Sequence, residues 1–189
     1  GNITASKATA QEATFKYAWF WDHPPIMKLK DSVAMRWLAY DKNGYEVDVT
    51  KTSEKCSISY YWNNRVQFTR SGTQEPDLDF NSLNIQFDEA ENFQSSTTMT
   101  EEAYAGNGYV RVSVKVEPEV HNSISYLKVA ALYGHTTVGV GSPSIGLSPA
   151  GTISISFSGT INSVIDSIAG DKVKITKTED PNSPNVSDI

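Results

Sequence analysis

The chain has 189 residues, with 22 acidic against 16 basic side chains and a formal net charge of −6. Its lysines and arginines are scattered singly, which argues against a nucleic-acid partner, because phosphate recognition needs clustered cations. One cysteine, Cys56, excludes an internal disulfide and a cysteine-based zinc site, and no apolar run approaches the roughly 18 residues of a membrane span.

The opening NITASKATAQEAT has no signal-peptide apolar core and reads as a mature N-terminus, with residues 1–12 expected as a flexible lead-in. In TFKYAWFW, Phe15, Tyr17, Trp19 and Trp21 share one parity opposite Lys16 and Asp22, so that face is predicted to pack inward and Phe20 to point the other way. Pro24 and Pro25 remove two backbone donors and fix φ, so the chain is expected to bend there and cross to another sheet. SVAMRWLAY repeats the alternation through Val33, Met35, Trp37 and Ala39.

DKNG is a turn signal in which Asn43 and Gly44 can take positive φ. Tyr45, Val47 and Val49 then alternate with Glu46 and Asp48, and Cys56, Ile58, Tyr60 and Trp62 line one face of the next strand. Asn63 and Asn64 separate that strand from Val66 and Phe68, which predicts a hairpin.

A loop over 71–77 precedes a strand through Leu83, Ile85 and Phe87. The stretch 88–108 admits a short helix, an edge strand or a long loop. GYVRVSVKVEP is a clear strand, SISYLKVAALYG reads as a central strand covered on both faces, and TISISFSG and KVKITK follow a Gly/Pro/Ser-rich connector. INSVIDSI is the one further place where a short helix fits.

About ten strands with turn signals between them predict a single antiparallel β-sandwich, Ig-like or jelly-roll in type, over 13–177. Residues 178–189 are expected as a disordered tail or linker.

No motif for a cofactor or metal is present. His23, His121 and His135 lack zinc spacing, and Asp77 and Asp79 in EPDLDFN read as a solvated loop rather than a calcium site. There is no GxSxG elbow, and GNG at 106–108 and GVG at 139–141 read as turns.

Two carboxyls across an aromatic cleft would make a glycosidase, with Glu46, Asp48, Glu117 and Glu119 as candidates, but no glycosidase motif accompanies them. A membrane-inserting hairpin is a remote alternative, because the alternation at Ile153, Ile155 and Phe157 is too short for a barrel strand.

Binding is therefore the leading functional expectation. Tyr61, Trp62, Asn63, Asn64 and Arg65 combine rings with amides at a hairpin tip, a mixture suited to a glycan or an extracellular protein, and Asp22 and His23 beside the prolines form a second candidate. The soft, polar ends on a Ser/Thr/Tyr-rich β-chain point to an exported or cell-surface module of bacterial type.

Overall fold

The computed structural model describes residues 1–7, 9–21, 29–75, 81–117 and 123–136, and beyond them five strands within 143–187; side chains are described up to residue 134, except 6, 7 and 75. The strands are β1 (Asn2–Lys7), β2 (Glu12–Phe20), β3 (Lys30–Tyr40), β4 (Glu46–Val47), β5 (Val49–Trp62), β6 (Arg65–Arg70), β7 (Thr73–Glu75) and β8 (Ser82–Asp88). They continue as β9 (Ala90–Gln94), β10 (Thr100–Val116), β11 (Tyr126–Thr136), β12 (Pro143–Leu147), β13 (Ile153–Phe157), β14 (Ser163–Ile168), β15 (Lys172–Ile175) and β16 (Val186–Ser187).

The first sheet runs β1-β2-β10-β5-β6, with β9 also on β10. The second runs β16-β15-β11-β3-β8-β7, with β14 also on β11 and β4 on β3, and β12 and β13 form a separate pair. These two sheets make an antiparallel β-sandwich that curls like a half-barrel, and no helix occurs among the described residues.

Side-chain alternation decides which face is dry. Phe15 and Tyr17 on β2 are 1% exposed, whereas Phe20, on the opposite parity, is 69% exposed. Phe15 meets Trp37 of the second sheet at 5.3 Å between ring centroids, and Trp19 meets Phe87 and Tyr133 at 5.7 Å each. Each such ring contributes about 1.5–3 kcal/mol by leaving water, so these inter-sheet contacts form the centre of the core. Trp21, the last of the predicted inward set, is only partly covered: it closes one end of the sandwich edge-on against Tyr133.

β2 lies in the first sheet and β3 in the second, which is the crossing predicted for the proline corner; Pro24 and Pro25 themselves lie outside the described residues. Three further crossings are abrupt. Asp48 alone separates β4 from β5, Ser71 and Gly72 separate β6 from β7, and Glu89 alone separates β8 from β9.

The Glu89 corner is braced by its own backbone and side chain. Its N–H donates to the Leu29 carbonyl at 2.8 Å, its carbonyl accepts from the Ala105 N–H at 2.8 Å, and its Oε2 accepts from the Leu29 N–H at 3.2 Å. The carboxylate thus takes the place of a strand partner where the chain leaves one sheet for the other.

Several expectations are corrected. Asn2–Lys7, read as a flexible lead-in, is the edge strand β1, in register with Ala13–Ala18. Thr73–Glu75 within the expected loop is β7. The 88–108 stretch, open between helix, edge strand and loop, is the end of β8, the Glu89 corner, strand β9, a turn over 95–99 and the first half of the 17-residue β10. INSVIDSI contains strand β14 instead of a helix.

Gly106 and Gly108 are not a turn but part of β10, which shifts register between Ala105 and Asn107. Their lack of a Cβ has a steric reason: a Cβ on Gly108 would lie 2.4 Å from Trp19 Cζ2, and one on Gly106 would lie 2.6 Å from Tyr61 Cδ2. Two rings, one on each face of the sheet, occupy the space those side chains would need. At the DKNG turn only Gly44 takes positive φ, at 85°, while Asp41 Oδ1 accepts from the Asn43 and Tyr45 N–H groups.

Candidate binding surface

The hairpin between β5 and β6 turns at Asn63 and Asn64, both in the left-handed region at φ 49° and 59°. Asparagine tolerates that region better than other side-chain-bearing residues, and two such residues in succession match the twist of the flanking strands. Asn63, Asn64 and Arg65 are exposed at the tip.

Behind the tip the two rings part company. Trp62 points to the inner face and packs edge-on against Phe93 at 5.8 Å, beside Phe68 and Tyr60, so it belongs to the margin of the core. Tyr61 points to the outer face of the first sheet. The five hairpin residues therefore do not form one surface, and Asp22 and His23 lie outside the described residues.

Tyr61 instead joins residues that are distant in sequence. It pairs across β10 with Tyr104, the ring centroids 6.3 Å apart, and its hydroxyl accepts from Asn107 Nδ2 at 2.6 Å. Val66 on β6 is opposite Tyr61, and Phe20 on β2 is opposite Asn107.

The next row along the sheet places Ser57, Tyr109 and Ala18 side by side. Strand spacing of about 4.8 Å thus assembles a sheet face bearing Phe20, Tyr61, Tyr104, Asn107 and Tyr109, with Ser57 and Ser59 between them. Phe20, at 69%, and Val66, at 49%, are among the most exposed large apolar side chains of the described residues.

Phe20 was legible as an outward ring. Tyr104 and Asn107 were missed, because the 88–108 stretch offers no clean alternation across the bulge at Gly106, whereas Tyr109 shares the outward parity of Arg111 in a clear strand and has no local feature that singles it out.

The acidic residues occupy other places. Glu46, Asp48 and Glu117 are exposed, and Glu117 accepts a hydrogen bond from the Thr50 hydroxyl. Of the buried carboxylates, Asp41 holds the DKNG turn, Glu89 braces its corner, and Asp31 accepts from the Tyr133 hydroxyl. Trp21 Nε1 donates to that same Tyr133 oxygen at 2.9 Å, and burial together with Asp31 holds the Tyr133 phenol well above the usual range.

No group of three or more His, Cys, Asp or Glu among the described residues is placed to hold a metal ion. Asp77, Asp79 and Glu119 lie outside those residues. Among the described residues no helix is long and apolar enough to cross a membrane.

Cys56 of β5 lines a pocket of about 310 Å³ with Gly72 at the β6–β7 crossing and Leu83 and Ile85 of β8. Burial, with a smaller contribution from Glu54, pushes its thiol up to about 12, so it stays protonated and poorly nucleophilic at neutral pH.

No protein-family profile matches the chain, and none of the curated proteins compared with it is similar.

Proposed function

We propose that the chain is an exported or cell-surface binding module, of adhesion type and bacterial origin, that recognises a glycan without acting on it chemically. One observation carries this reading: rings and an amide that belong to three strands converge on the solvent side of the first sheet, with Phe20 left 69% exposed. Sugar rings stack on tyrosine and phenylalanine, and a side-chain amide and hydroxyls between the rings supply directional contacts. Tyrosine, serine and asparagine lose little side-chain entropy when a ligand arrives, which suits a shallow surface. The export assignment rests on composition.

Glycan-array screening followed by calorimetry tests the proposal. Binding of a saccharide is expected, and a Tyr61→Ala/Tyr104→Ala double variant should lose it by about tenfold or more, since an aromatic ring contact contributes on the order of 0.5–1.5 kcal/mol beyond the area it buries. A folded protein that binds no saccharide, or a double variant that binds as well as the parent, overturns it.

A further inference from the structure

The row beside Tyr109 on the outer face is chemically unlike its neighbours. Arg111 on β10 is directly opposite Lys16 on β2 and directly opposite Lys55 on β5. Directly opposed residues of an antiparallel pair share a face, so three cations stand side by side across three strands at about 5 Å intervals. Arg111 and Lys55 are exposed, and Lys16 is half-buried with its Nζ 5.8 Å from the centre of the Tyr109 ring.

The flanking rows hold no carboxylate: one is Ser57, Tyr109, Ala18 and Asn2, the other Ser53, Ser113 and Thr14. The acidic side chains nearest in sequence are engaged elsewhere. Glu54 pairs with Lys51 at 2.7 Å, and Glu12 pairs with Lys115 at 3.4 Å. Among the described residues none of the three cations makes an ion pair with a carboxylate.

This arrangement runs against the stability of the sheet, because like charges directly opposite one another repel. It also runs against the composition, since the chain carries 22 acidic and 16 basic residues. A local excess of one sign, built at a cost to the fold and placed next to an aromatic ring, is the pattern of a surface that receives the opposite charge.

We propose that the outer face of the first sheet binds an acidic saccharide, a strand of hexuronate units, with a sugar ring against Tyr109 and its carboxylate on Arg111, flanked by Lys16 and Lys55. Successive outward residues of one strand lie about 6.7 Å apart, so a ring over Tyr109 brings a carboxylate on its rim to the guanidinium. The planar fork of that guanidinium matches a carboxylate in two parallel hydrogen bonds. The inference rests on the glycan reading above and names the class of glycan.

Calorimetric titration with tetragalacturonate and with the neutral galactose tetramer tests it on the full chain, using the parent, Arg111→Gln and Lys55→Gln, each checked for a melting temperature no lower than the parent's. The acidic oligomer is expected to bind at least about tenfold more tightly than the neutral one, and each variant to lose about tenfold for the acidic oligomer alone, the loss of one charge-assisted contact. The acidic complex should also weaken with added salt.

Equal binding of both oligomers, or acidic binding unchanged in both variants, overturns the acidic-glycan inference and leaves the aromatic surface standing. If the galactose tetramer binds through Tyr61 and Tyr104 and the galacturonate does not, this inference fails alone. If neither oligomer binds and the wider glycan array is blank, both readings fail.

Discussion

The side-chain amide of Asn107 on β10 donates to the phenol oxygen of Tyr61 on β5 at 2.6 Å, across the register shift at Gly106. Two residues 46 apart in sequence are thereby held as one unit on the solvent side of the sheet. Asn107→Ala should lower stability by about 1 kcal/mol, the net worth of one hydrogen bond, as read by urea unfolding. It should also weaken glycan binding more than it weakens the fold. A variant that loses stability but binds normally would show the amide to be a brace only.

Phe15 and Phe20 separate burial from residue type. Phe15→Ala empties part of the inter-sheet core and should cost about 3–5 kcal/mol, whereas Phe20→Ala should stay within about 0.5 kcal/mol because that ring is 69% exposed. Chemical denaturation of the two variants measures the difference. A reversed ranking would mean that the inner and outer faces of β2 have been exchanged.

Gly72 and Gly44 separate steric from backbone strain. Both take positive φ, but a Cβ on Gly72 would lie 2.5 Å from Ile85 Cγ2 and 2.9 Å from the Gln86 carbonyl oxygen, whereas the nearest atom to one on Gly44 is 3.6 Å away. Gly44→Ala should therefore cost roughly 1 kcal/mol, for the left-handed backbone alone. Gly72→Ala should exceed about 2 kcal/mol, because the crossing between β6 and β7 must also open. Equal losses would remove the steric account of that corner.

Alkaline pH should destabilise the protein through Cys56, Tyr60 and Tyr133. Burial raises all three above their ordinary values, Cys56 from 9.0 to about 12, with Tyr60 and Tyr133 above the ordinary tyrosine value of 10.0. Each group binds its proton more tightly folded than unfolded, so stability is intact below the unfolded values and falls as pH rises through the folded ones. The loss should begin above pH 9, where unfolded Cys56 ionises, and steepen above 10. Urea midpoints measured across this range provide the check, and Cys56→Ala should flatten the first part of the decline. A midpoint that holds steady through pH 11 would contradict the burial of these groups.

The inward parity of Phe15, Tyr17 and Trp19, the outward Phe20, the sheet crossing near Pro24 and Pro25 and the Asn63–Asn64 hairpin were legible in the chain. In each case the signal is local: a period of two, a missing donor, or a residue that tolerates positive φ. The Trp62 indole was legible as inward for the same reason. β1 was not legible, because an edge strand of small and polar residues takes its hydrogen bonds from a neighbour and carries a weak pattern of its own, and β14 was not, because Ile161, Val164, Ile165 and Ile168 fall at helical spacing. Glu89 was equally hidden, since a carboxylate bracing a corner has meaning only once Leu29 and Ala105 are beside it.

By itself, the order of residues determined that the protein is all-β and which side chains of strands such as β2 and the second half of β10 leave water, because alternation is a property of consecutive positions. Beyond the β5–β6 hairpin, tertiary structure alone decided which strands are neighbours. The meeting of Tyr61 with Asn107, and of Lys55 with Arg111 and Lys16, depends on strand order and register. Those are set by long-range pairing over tens of residues and leave no mark on any single segment.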